Sequence, residues 1–165
     1  MEIGTVVNYS SSGVCIVSDV TVEEVLGKRS KFYVLTPVFD SRTTLYVPMD
    51  NQILMNKMRP LLSSDEIESL ISSMPDIKYT WNDDDRVRSA EFKSIVSDGT
   101  HADLIRMLRC LYMHKIDLSK KRKLMRSSDA AYFKKAEFKF FSEVAYVLDI
   151  SYDNVRSYID SKLAE

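Results

Sequence analysis

Tyr79-Thr80-Trp81-Asn82-Asp83-Asp84-Asp85-Arg86-Val87-Arg88 divides the chain, and its reading decides the fold. Before it, short β-branched runs are stopped by Pro and turn clusters. After it, apolar residues recur at helical spacing. The stretch holds the only Trp, three residues beyond Lys78 and just ahead of a helix start. A single Trp is most often a core residue. Its neighbours allow a second reading, in which an exposed aromatic wedge is flanked by two phosphate-binding arginines, Arg86 and Arg88.

Upstream, residues 3–9 open with a strand, and Ser10-Ser11-Ser12-Gly13 make a turn. Residues 14–22 form a second strand, followed by a loop or hairpin around Glu23-Glu24 and Gly27-Lys28. Lys31–Thr36 is a third strand stopped by Pro37, and Thr43–Val47 a fourth stopped by Pro48. Met58–Leu62 supplies a last short strand. Strands separated by turns every 8–12 residues or so predict a small antiparallel barrel or sandwich. A core this small is marginal, so one sheet edge needs a partner.

Downstream, Ser63 and Glu66 stand at capping-box spacing, opening a linker helix over 64–74 with Ile67, Leu70, Ile71 and Met74 on one face. Asn82 or Asp83 caps the next helix, and the Asp run suits its positive end. Gly99 stops it, and Thr100 caps another with Asp103 three residues on. Ser128-Asp129 starts a long helix reaching about Leu148, and Ser151 caps the last. The fold class is therefore α+β: an N-terminal small antiparallel β-barrel over 1–62, then a helical domain over 63–165 made of the linker helix and a bundle of four further helices.

With 45% hydrophobic and 28% charged residues the chain reads as soluble and globular. No apolar run suits a bilayer and no basic n-region marks a secretory signal, so a cytoplasmic protein without a membrane partner is expected. Two cysteines, Cys15 and Cys110, fit a reducing compartment. Cys110, His114 and His101 are too few and too spread for zinc, so they read as core Cys and surface His, with no metal. Four glycines without GxGxxG or GxxxxGK spacing leave no phosphate loop. No cofactor and no catalytic residues are expected, and the chain does not read as an enzyme.

Charge is uneven. Residues 1–75 carry six Lys/Arg against nine Asp/Glu, and residues 76–165 carry seventeen against fifteen. At a net charge of -1 the protein will not hold DNA by counterion release alone. The densest basic run is Lys120, Lys121, Arg122, Lys123 and Arg126, a solvated face or a phosphate contact that Arg106 and Arg109 would extend.

Taken together, these residues resemble the CarD/CdnL family of bacterial transcription regulators, whose first domain is shared with transcription-repair coupling factor. The family's opening G-D-x-V-V-Y-P-x-H-G-V-G-x-I stands here as Gly4-Thr5-Val6-Val7-Asn8-Tyr9-Ser10-Ser11-Ser12-Gly13-Val14-Cys15-Ile16-Val17. Tyr33-Val34-Leu35, Thr44-Leu45-Tyr46-Val47-Pro48 and Arg59-Pro60-Leu61-Leu62-Ser63 match later elements. In the helical half, Trp81, Ser97-Asp98-Gly99, Leu111-Tyr112, Ala136 and Ser142-Glu143-Val144-Ala145 keep the family's order. The departures are Thr5 for the acid after Gly, Ser10 and Ser12 for Pro and His, Tyr46 for an Arg that some relatives use against polymerase, and a longer basic connector at 119–127.

The resemblance implies a Tudor-like first domain that binds the RNA polymerase β subunit by strand addition through Thr43, Thr44, Leu45, Tyr46, Val47 and Pro48. It implies a helical domain on promoter DNA at the upstream edge of the transcription bubble, with Trp81 wedged in the minor groove. Arg86 and Arg88 would hold phosphates, joined by Lys120, Lys121, Arg122, Lys123 and Arg126. The protein would act as a monomer, tethered by polymerase, and stabilise the open complex. The competing expectation is a protein–protein adaptor of the transcription machinery without direct DNA contact.

Overall fold

A computed structural model describes residues 1–165, which divide into two compact units, Met1–Leu62 and Ser63–Glu165. The first unit is one five-stranded antiparallel sheet. Its strands are β1 (Val6–Tyr9), β2 (Gly13–Val25), β3 (Lys28–Pro37), β4 (Leu45–Pro48) and β5 (Met58–Arg59), in the order β4-β3-β2-β1-β5. The barrel expectation is corrected here. β4 and β5 lie at opposite edges, so the sheet is open. β5 has only two residues, too few to carry the ladder round to closure.

β2 and β3 run well past the strands drawn from the sequence. The extension has a local cause. Register shifts between Val17 and Asp19, leaving Ser18 as an extra residue, whose hydroxyl donates to the Val34 carbonyl at 3.1 Å. Beyond this bulge the two strands form a ribbon that continues to Val25↔Lys28. Leu26 and Gly27 close it, both with positive φ (52° and 76°), the hand that a two-residue hairpin needs.

The core of this unit lies on one sheet face, where Val7, Cys15, Val17, Leu35 and Val47 are sealed. The one-turn helix α1 (Gln52–Met55) packs Leu54 and Met55 against it, and Asn51 caps that turn by accepting from the Leu54 N–H.

The second unit holds α2 (Ser64–Ser73), α3 (Asp85–Asp98), α4 (His101–Lys120), α5 (Ser127–Leu148) and α6 (Val155–Leu163). They are the expected linker helix and the four helices that follow it. α5 is the centre and touches each of the other four, α2 included. Phe140 and Val144 on α5 are fully buried, and Ile67 and Ile71 make α2 part of the same core. Both capping boxes form, Ser63 with Glu66 and Thr100 with Asp103. Gly99 ends α3 with φ −61°, not left-handed. It must be Gly because an added Cβ would lie 2.6 Å from the Ile95 carbonyl oxygen. No helix is long and apolar enough to cross a membrane.

Candidate nucleic-acid interface

The segment ahead of α3 is fixed from its backbone outward. Asn82 Oδ1 accepts from the Asp84 N–H at 2.9 Å, and Asp84 Oδ1 accepts from the N–H groups of Arg86 and Val87 at 3.0 and 3.1 Å. The cap is therefore Asp84, one or two residues later than expected. Its carboxylate meets the free N–H groups and positive end of the helix.

Arg88 lies one turn inside α3, and its role differs from expectation. It is 3% exposed. Its Nε–H donates to Asp129 Oδ1 at 3.0 Å, and Nη2 donates to Asp129 Oδ2 at 2.9 Å and Asp85 Oδ1 at 2.6 Å. Nη1 donates to the Asn82 carbonyl at 2.7 Å. Asp129, in the first turn of α5, is 1% exposed. Arg88 is thus corrected from a phosphate ligand to the clamp joining α3, α5 and the Trp81 segment. A guanidinium fork matched to a carboxylate is the strongest such tie available.

Trp81 rests on this clamp. The Arg88 guanidinium carbon is 4.5 Å from the centre of its ring, and the His114 imidazole of α4 stacks on it at 3.4 Å with 7° between planes. Phe92 stands 6.3 Å away. The indole is half-buried. Burial lowers the His114 pKa, which favours the neutral ring in the stack. Cys110, also on α4, holds the preceding backbone, its thiol 3.7 Å from the Thr80 carbonyl oxygen.

Arg86 is exposed beside the clamp, and Arg126 pairs with Asp85 while remaining mostly exposed. Asp85 is thereby shared by two arginines, which offsets part of the acidic run next to Trp81. Lys120, Lys121, Arg122 and Lys123 all point to solvent around the turn that leaves α4. That turn closes by the Lys123 N–H bonding to the Leu118 carbonyl at 2.9 Å, with Arg122 left-handed. His114 and Lys120 are on one helix, about 9 Å apart along its axis. Arg106 pairs with Asp103, whereas Arg109 borders an apolar groove between α4, α5 and α6.

Neither histidine is the free surface residue expected. His101 Nε2 lies 2.8 Å from Glu143 Oε2, a carboxylate sealed on α5. Arg88–Asp129 and His101–Glu143 are separated by 41 and 42 residues, and only the acids among helical apolar positions hinted at them.

In the first unit the expected strand Thr43–Val47 begins later, at Leu45. Thr43 and Thr44 precede it, and Thr43 closes a turn on Asp40, to which its N–H and hydroxyl donate at 3.1 and 2.8 Å. β4 pairs with β3 on one side, and its other side is a sheet edge. Tyr46 on this edge strand is 56% exposed while Val47 is sealed in the core.

Residues 1–61 match the family model of the CarD-like/TRCF RID domain. No curated protein matches the chain.

Proposed function

We propose, from the premise that residues 1–61 belong to the CarD-like/TRCF RID family and so form a transcription-related domain that interacts with RNA polymerase, that this protein regulates transcription initiation by stabilising the promoter open complex. The family match carries the reading, and the open edge of β4 supports it. A bare row of backbone donors and acceptors can take up a partner strand, in this proposal one from the polymerase β subunit. Tyr46 is the exposed side chain on that strand.

The helical unit then meets DNA at the upstream edge of the bubble. Trp81 is the wedge, and Arg86, Lys120, Lys121, Arg122 and Lys123 hold phosphates, with Arg126 beside them. Arg88 acts from behind, as a positioning residue for the indole. Inserting Trp81 exchanges its stack on His114 for one on a base. Aromatic pairs contribute about 0.5–1.5 kcal/mol, and stacking on a base about 1–3 kcal/mol, so the exchange is favourable or close to even. Tethering by polymerase supplies the effective concentration that a net charge of -1 does not.

One observation favours the adaptor reading. Trp81 already has aromatic partners, His114 and Phe92, and is half-buried. The test is open-complex lifetime with cognate RNA polymerase, comparing no factor, wild type and Trp81→Ala. The expected result is a longer lifetime with wild type, largely lost in Trp81→Ala while polymerase binding persists. Polymerase binding without any effect on lifetime would favour the adaptor. No binding to polymerase would refute the proposal at its first step.

A further inference from the structure

We propose that Leu124, on the basic turn between α4 and α5, is a second apolar wedge, entering the minor groove of the same duplex as Trp81 at a neighbouring base step. The inference rests on the DNA contact proposed above for the helical unit. Leu124 is 95% exposed. It follows a helix end whose backbone is closed. The Arg122 N–H donates to the Ser119 carbonyl at 3.0 Å and the Lys123 N–H to the Leu118 carbonyl at 2.9 Å, with Arg122 left-handed. In such an ending an apolar residue at the position of Lys123 commonly packs back onto the last turn of the helix. Here the apolar residue comes one position later and is turned out to solvent.

The charges around Leu124 select its partner. Lys120, Lys121, Arg122 and Lys123 precede it, Arg126 follows it, and all five are exposed. An apolar tip among cations suits a polyanion with an apolar interior. Duplex DNA is one, since phosphates line its groove and leucine is among the side chains that open a base step from the minor groove. An anionic bilayer is another, but a single leucine is a small anchor where even one myristoyl chain binds only marginally. Placement also favours DNA. Arg126, two residues and at most about 7 Å of chain from Leu124, pairs with Asp85. Asp85 also accepts from Arg88, whose guanidinium carbon lies 4.5 Å from the centre of the Trp81 ring. The N-termini of α3 and α5 therefore hold Leu124 and Trp81 at one end of the helical unit. Two wedges on one frame fix the direction of the bend between them, whereas a duplex can swivel about one.

The test uses the full chain with cognate RNA polymerase on a promoter carrying 2-aminopurine, placed one position at a time across the upstream edge of the bubble. This base brightens where it is unstacked. Two bright positions are expected with wild type. Leu124→Ser should dim one and leave the other, Trp81→Ala should do the reverse, and Leu124→Phe should keep both. Leu124→Ser should also shorten the open-complex lifetime about tenfold, the scale of burying one leucine less the cost of unstacking. Its urea midpoint should match wild type, because Leu124 packs against nothing that folding requires. A fluorescence pattern and lifetime that respond to Trp81→Ala but not to Leu124→Ser would overturn this inference and leave the Trp81 reading standing. Indifference to both variants would remove the DNA reading and this inference with it. Binding to phosphatidylglycerol vesicles that Leu124→Ser abolishes, with the promoter signals unchanged, would assign the turn to a membrane surface instead.

Discussion

Arg88→Met is the substitution on which the account of the candidate site depends most. Methionine keeps the length and apolar stem of arginine, but removes four hydrogen bonds, two of them to Asp129. Asp129 stays behind with 1% exposure and no counter-charge. Breaking a buried pair from one side costs about 3–5 kcal/mol, mostly because the remaining charge is stranded. A unit of about one hundred residues has roughly 5–15 kcal/mol in total. The variant should therefore lose about a fifth of its stability or more, lowering the melting temperature by about 12 °C or more. Urea unfolding followed by Trp81 emission measures this directly, because the only Trp rests on the clamp. The double variant Arg88→Met, Asp129→Leu should recover much of the loss, since neither partner is then stranded. A loss below about 1 kcal/mol for Arg88→Met, the range of an exposed ion pair, would refute the clamp. It would return Arg88 to the solvent-facing, phosphate-contacting set.

Three smaller perturbations test other parts of the structure. Leu26 is left-handed at the hairpin tip and fully exposed, so Leu26→Asn should raise stability by about 0.5–1 kcal/mol, read as a higher urea midpoint. Gly99→Ala places its Cβ against the Ile95 carbonyl and should cost about 1–3 kcal/mol in thermal melts, the range of an overpacked site. His114 has its pKa lowered by burial, so below the ordinary histidine value the unfolded chain binds the proton more readily than the folded one. Its contribution is complete above about pH 6.5 and falls as pH drops toward the lowered folded value. Urea midpoints should decline over that window in wild type, and His114→Phe, which keeps a ring on Trp81, should flatten the decline.

The chain's local rules were legible in its sequence. Ser63 with Glu66 and Thr100 with Asp103 mark helix starts because a capping box is closed within four residues. Pro, Gly and Ser clusters located the turns between strands, and the stripes through Ile67–Ile71 and Leu104–Leu111 gave the helices their inner faces. The changeover at Trp81 and the edge strand near Thr44–Pro48 came from the same short-range signals. What tertiary structure decided involves partners far apart in sequence. Two arginines two positions apart, Arg86 and Arg88, look alike in sequence. One is exposed and the other is buried, because only Arg88 meets Asp129, 41 residues on. The Trp81 stack on His114 and the open sheet with its overhanging ribbon are likewise products of packing. Hydrogen-bond caps and amphipathic periods act within a turn or two, so residue order alone specifies them. Which charge is desolvated, and against what, is settled only when separate helices close on one another.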